Sequence, residues 1–172
     1  MTEREITPEV FTTGYTGTPG HRAFYIQART DTDTLTYSLE KAQVSVLAEK
    51  LGELLLMIDR EDTISGAQPV RDPALETDLT EPEWRVGAIG LAYDEEADLI
   101  SLFIEPTTSE EDVAESETDA VRFLLRRDQV RSFILHAMAV VAEGRPLCQL
   151  CGLPMDPEGH SCPASNGHHP TT

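Results

Sequence analysis

The sequence predicts an α+β fold: duplicated β-β-β-α units forming a mostly antiparallel sheet with two helices, plus a small C-terminal zinc-binding tail. Three observations carry this. Two stretches repeat apolar residues at three- and four-residue steps, the spacing of one helical face, and each follows three short β-rich runs broken by turn residues. The two helical stretches open alike: Leu39-Glu40-Lys41-Ala42-Gln43-Val44 lines up with Leu125-Arg126-Arg127-Asp128-Gln129-Val130, with Leu, Gln and Val matching at a constant offset. Finally, all 3 cysteines of the 172-residue chain lie between residues 148 and 162. The expected division is an α+β domain over 1–143, with an internal repeat of 8–60 and 84–143, and a zinc-knuckle-like tail over 144–172.

Val10–Tyr15 and Arg22–Arg29 flank Thr16-Gly17-Thr18-Pro19-Gly20 and read as a hairpin. Phe24 and Ile26 fall on one face, Tyr25 and Gln27 on the other. Thr34–Leu39 is a third strand. The helix from Glu40 to Ile58 carries Val44, Leu47, Leu51, Leu54, Leu55 and Ile58 as its apolar stripe. An acidic loop over 61–83, with Pro69, Pro73 and Pro82, follows; a loop of that length inside a domain is often functional or mobile. Trp84–Tyr93 and Asp98–Glu105 make a second hairpin around Asp94-Glu95-Glu96-Ala97. A second acidic loop, 106–118, leads to a sixth strand at Ala120–Arg126. Asp128 is the expected N-cap of a helix over Gln129–Glu143, with Val130, Phe133, Ile134, Ala137 and Val141 as its stripe and Gly144 as its stop. His136 falls away from that stripe and is expected at the surface.

The tail is the most chemically specific stretch. Zinc favours thiolate and imidazole ligands in a tetrahedron, and a Cys-x-x-Cys turn supplies two of them from one loop. Cys148 and Cys151 have that spacing, and Gly152 follows, able to take a positive φ without steric cost. His160 and Cys162 complete a set of four, with His168 and His169 as rivals of His160 for the fourth place. Four protein ligands leave no position for water, so the expected cofactor is one structural Zn2+ per chain. A redox Cys-x-x-Cys usually opens a helix after a strand; this one follows a helix and sits among Gly and Pro.

The formal net charge is −18, spread unevenly. Residues 61–117 carry −15, whereas 118–145 carry +2 through Arg122, Arg126, Arg127, Arg131 and Arg145. Those arginines are expected to pair with the protein's own acidic loops, with an anion-binding or acidic-partner surface as the alternative. Nucleic-acid binding leans on Lys and Arg that neutralise phosphates, so the charge argues against it. No apolar run approaches a membrane span, Met1–Glu5 carry no signal-peptide hydrophobic run, and an odd cysteine count clustered in one site suits a reducing compartment. The expected setting is cytoplasmic. The chain has no His-Glu-x-x-His, nucleophile elbow or phosphate-binding Gly-Lys-Ser/Thr motif.

Val10–Gly20 with Phe24–Arg29, the Leu39–Leu47 segment, and above all the tail from Gly144-Arg145-Pro146 through Cys148, Cys151, Gly152, His160 and Cys162 to Asn166-Gly167 resemble domain-of-unknown-function family 3090, small proteins of mainly high-GC Gram-positive bacteria. The resemblance implies a cytoplasmic bacterial protein with a C-terminal Cys/His motif, and no reaction. The sequence therefore leads to a non-enzymatic adaptor whose partner is another protein, of undetermined identity and oligomeric state. The alternatives are a nucleic-acid binder of duplicated strand-helix type, a zinc-dependent hydrolase with one labile ligand, or a thiol redox protein.

Overall fold

The structure is a computed structural model and describes residues 3–18, 20–59, 81–108, 119–143, 148–153, 155 and 160–165. Both acidic loops fall largely outside these residues, as do Arg145, His168 and His169. The described chain runs β1 (Arg4–Ile6), β2 (Val10–Thr18), β3 (His21–Arg29), β4 (Thr34–Leu39), α1 (Lys41–Ile58), β5 (Val86–Asp94), β6 (Leu99–Pro106), β7 (Val121–Leu125) and α2 (Arg127–Ala142), then a short 3-10 turn at Pro163–Ser165. The fold is α+β with two helices, as expected, but its strands form two sheets where one was foreseen. One has the order β1-β7-β6-β5, the other β2-β3-β4. Every pairing is antiparallel except that of β1 with β7.

The core lies where the sheets and helices meet. Phe123 in β7 is fully buried, with its ring centroid 5.2 Å from Phe11 of β2 and 5.9 Å from Tyr37 of β4. Phe11 in turn sits 5.0 Å from Phe133 of α2. Val44, Leu47 and Leu51 of α1 are buried beside this cluster, and Ile100, Leu102 and Ile104 line the inner face of β6. Leu54, Ile58 and Val141, expected in the apolar stripes, are only partly buried. The outer face of β2-β3-β4 breaks the simple alternation. Thr12, Gln27 and Thr36 stand opposite one another across three strands and are all buried. Gln27 Nε2 donates to Thr36 Oγ1 at 3.3 Å, which offsets part of the cost of burying amide and hydroxyl groups.

The β2-β3 turn is tighter than the expected five-residue connection, because pairing continues to Thr18 opposite His21. Gly17 there has φ +93°, and a Cβ would collide with the His21 carbonyl; glycine is the residue that accepts both conditions. At α2 the expected N-cap is corrected. Arg126 occupies the cap, and Asp128 lies in the first turn, where its carboxylate accepts from Arg126 Nε at 3.0 Å. That hydrogen bond holds the Asp128 carboxyl below its ordinary range.

The two helices open by the same device. Gln43 accepts the Glu40 backbone N–H at 2.7 Å, and Gln129 accepts that of Arg126 at 3.0 Å, each covering a donor that a helix start leaves bare. Each glutamine then uses its amide to reach the opposite half. Gln43 Nε2 donates to the carbonyls of Val86 and Gly87 at the start of β5. Gln129 Nε2 donates to those of Pro8 and Glu9 at the entry to β2. The segments leading into each half also correspond. Arg4–Ile6 runs parallel to β7, and Ser38 of β4 forms a parallel bridge to Arg85, just before β5.

His136 is not a free surface histidine. It is part-buried, and its Nε2 lies 2.9 Å from the Thr13 carbonyl, sealing the outer edge of β2. Of the arginines expected to pair with the acidic loops, the four among the described residues pair internally, but with carboxylates outside those loops. Arg122 binds Glu3 and Glu5, Arg126 binds Asp128, and Arg127 and Arg131 converge on Asp59 at the end of α1, where Arg127 also meets Asp98. Arg22 stacks 3.9 Å over Tyr15 and donates to the Glu143 carbonyl at 2.5 Å, holding the end of α2 where the tail departs.

Burial pushes the Tyr37 phenol up to about 12, against its ordinary value near 10. A raised folded value means that the neutral form is favoured by folding. Stability is thus predicted to be unaffected by this group below about pH 10 and to fall as pH rises toward 12. Urea unfolding across that window checks it, and Tyr37→Phe should flatten the fall attributable to this residue.

Candidate metal centre

The tail's local chemistry builds the site. Cys148 N donates to the Leu153 carbonyl and Gly152 N to the Cys148 carbonyl, both at 2.8 Å, so residues 148–153 close into a tight turn. Gly152 takes φ +74°, the left-handed conformation that the sequence foresees for it. Inside the turn, Leu150 N points at Cys148 Sγ, 3.4 Å away. The chain returns through His160 and Cys162, and Pro163 then opens the 3-10 turn, where its fixed φ suits a first helical position.

The return brings all four predicted residues together. One ligand atom from each of Cys148, Cys151, His160 and Cys162 lies within 4.8 Å of every other. Cys148 Sγ and Cys162 Sγ are 3.8 Å apart, and Cys151 Sγ is 3.2 Å from His160 Nε2. The sulfur–sulfur distance is far beyond a disulfide bond, and the three cysteines are free thiols. It matches the edge of a tetrahedron with metal–sulfur bonds of about 2.3 Å, which is roughly 3.8 Å. Cys148 is buried, and the other three are half-buried. Three cysteines and one histidine at this spacing can hold a metal ion.

The thiols differ electrostatically. Backbone N–H groups of Cys151 and Leu150 stabilise the Cys148 thiolate and hold its pKa below the ordinary range. At Cys151 the N–H of Leu153 acts in the same sense, but burial and the neighbouring thiols of Cys162 and Cys148 outweigh it and raise the value.

Other candidates do not assemble into a site. Asp94 caps its own hairpin turn by accepting from Glu96 and Ala97 N–H, and Asp98 accepts from Tyr93 and Arg127. The Cys/His group is the only cluster of metal-ligating side chains found among the described residues. No helix among them is long and apolar enough to cross a membrane.

No curated protein and no solved structure matches the chain. The model of one family, described as a protein of unknown function (DUF3090), matches residues 6–162, a span that takes in both halves of the α+β body and every residue of the Cys/His cluster. With its family model covering nearly all of the sequence and ending on the last thiol of the cluster, the chain belongs to the DUF3090 family.

Proposed function

We propose that this is a cytoplasmic zinc-binding protein whose tail holds one structural Zn2+ through Cys148, Cys151, His160 and Cys162, and which works as a non-enzymatic protein-binding module. The observation that carries the zinc reading is the approach of the four donors to within 4.8 Å, on a turn already closed by backbone hydrogen bonds. Thiolate-rich tetrahedral sets favour zinc over the harder cations, and four protein ligands suit structure better than catalysis. The adaptor reading draws support from the turn's surface. Leu150 and Leu153 are 72% and 48% exposed, apolar side chains that a metal would present rigidly to a partner. The arginine concentration supports it less, because four of its five members are paired with the protein's own carboxylates. An origin of the two halves by duplication belongs to the same proposal. Its support is the matched use of Gln43 and Gln129.

The test is metal content by mass spectrometry on protein purified without chelator, with thiols counted before and after chelation. The expected result is about one zinc per chain, with thiols protected until chelator is added. Absence of metal with freely reactive thiols would remove the reading. If zinc is present, replacing Leu150 and Leu153 by Asp should abolish partner capture while leaving metal content unchanged.

A further inference from the structure

The three thiols of the cluster meet solvent differently. Cys148 is buried, whereas Cys151 and Cys162 are half-buried. The Leu150 N–H points at the Cys148 sulfur, and the Cys151 sulfur lies 3.2 Å from His160 Nε2. The sulfurs of Cys148 and Cys162 are 3.8 Å apart, so closing by about 1.8 Å brings them to disulfide bonding distance. A bond between them would join two segments across the cluster and leave in place the backbone hydrogen bonds that close the 148–153 turn. Residues 1–147 contain no cysteine, so oxidation has no other thiol of this chain to draw on. The apolar core runs from Ile6 to Val140 and is built without the tail. A covalent change at the cluster therefore leaves the body standing.

We propose, resting on the zinc reading above, that the cluster is an oxidation site: a hydroperoxide converts Cys162 and Cys148 to a disulfide, and the zinc leaves. A metal-coordinated thiol is deprotonated, and the thiolate is the nucleophile. The more accessible sulfur of the pair reacts first. The Cys162 thiolate attacks one peroxide oxygen; the S–O bond forms, the O–O bond breaks, and the other oxygen takes a proton from solvent and departs as an alcohol, or as water from hydrogen peroxide. Cys162 is then a sulfenic acid. The Cys148 thiolate, buried beside it, attacks that sulfur; the S–S bond forms, the S–O bond breaks, and the departing hydroxide is protonated to water. The thiolates give up two electrons, and the peroxide takes them. A disulfide uses two of the 3 cysteines, leaving Cys151 and His160, which are two donors where a tetrahedral site needs four. The disulfide then replaces the metal as the link between the 148–153 turn and the returning segment. Disulfides that do form in a reducing compartment are characteristically transient and sensing ones.

The test titrates the full, zinc-loaded chain with hydrogen peroxide in the absence of other thiols. A chromogenic indicator reads free zinc, and peptides are mapped by mass spectrometry after alkylation. Complete loss of zinc is expected at about one equivalent of peroxide per chain, with a Cys148–Cys162 disulfide and Cys151 alkylated. Dithiothreitol and added zinc should restore the bound metal, and circular dichroism of the body should not change throughout. A chain that takes up no zinc before any peroxide is added removes the zinc reading, and the oxidation site with it. Zinc that is bound and stays bound, with all thiols reduced, under an excess of peroxide overturns the oxidation site alone. So does release that ends in sulfinic or sulfonic acids beyond the reach of dithiothreitol, or a disulfide between any other pair.

Discussion

Replacing Cys148 by serine is expected to strip the metal from the tail and to unfold residues 148–165, while the body from β1 to α2 keeps its structure. The asymmetry follows from how each part is held. The body has a continuous apolar core drawn from both sheets and both helices. The described tail contributes one buried apolar side chain, Cys148 itself, and a handful of backbone hydrogen bonds. Structural zinc contributes about 10–16 kcal/mol of apparent binding free energy in small metal-folded units, far more than a turn of this size recovers by other means. A two-dimensional NMR amide spectrum checks the prediction: tail resonances should collapse toward random-coil positions and body resonances should stay. A metal-saturated Cys148→Ser protein with an unchanged spectrum would count against the site. His160→Ala extends the experiment to the fourth ligand. Metal loss is expected from the 3.2 Å approach of His160 Nε2 to Cys151 Sγ; undiminished binding would transfer the place to His168 or His169.

The second large effect is expected at Phe123. Its side chain is fully buried and touches aromatic rings from both strands of the other sheet that meet it, Phe11 and Tyr37. It also sits between Ile6 of β1 and Leu102 of β6 in its own sheet. Phe123→Ala therefore opens a cavity at the junction of the two sheets, where no single element can collapse to fill it, and should destabilise the protein by about 3–5 kcal/mol. The single Trp of the chain reports on this region, since Trp84 lies 4.7 Å from Tyr37. Urea unfolding followed by its fluorescence and by circular dichroism should shift together, because both sheets share one core. Phe103→Ala is the control. Phe103 is only partly buried, on the outer face, under the Arg122 guanidinium 4.6 Å from its centroid, and a cost of about 1 kcal/mol is expected there. Equal losses at the two positions would argue that the sheets are not joined through Phe123.

Much of the fold is legible in the sequence because it is local. The helices announce themselves through Val44, Leu47 and Leu51, and through Val130, Phe133 and Ile134, side chains whose spacing alone places them on one face. The strands of both hairpins follow from β-rich runs around turn residues. β1 is illegible for the opposite reason. Arg4-Glu5-Ile6 has one apolar side chain, and its reason for being a strand is β7, more than a hundred residues away. Alternation shows which side chains share a face but not which strands share a sheet, so the division into two sheets does not follow from it. The same gap explains Gln27 and His136. Each looks like a surface residue by periodicity, and each is drawn inward by a hydrogen-bonding partner on another element, Thr36 and the Thr13 carbonyl.

The Cys/His cluster belongs to the legible part. Its ligand types and the tight Cys-x-x-Cys turn lie within fifteen consecutive residues, and short-range geometry suffices to bring them together. By itself the sequence determined two amphipathic helices, their strand-rich partners and the donor set of the tail, all set by spacing along a few turns of chain. The tertiary structure alone decided that Arg122, Arg127 and Arg131 are spent on carboxylates from three distant segments, and that His136 of α2 reaches the edge of β2 while Lys50, its counterpart on α1, turns to Glu53. Those outcomes depend on which backbone carbonyls and charges meet across long sequence separations, and periodicity carries no information about that.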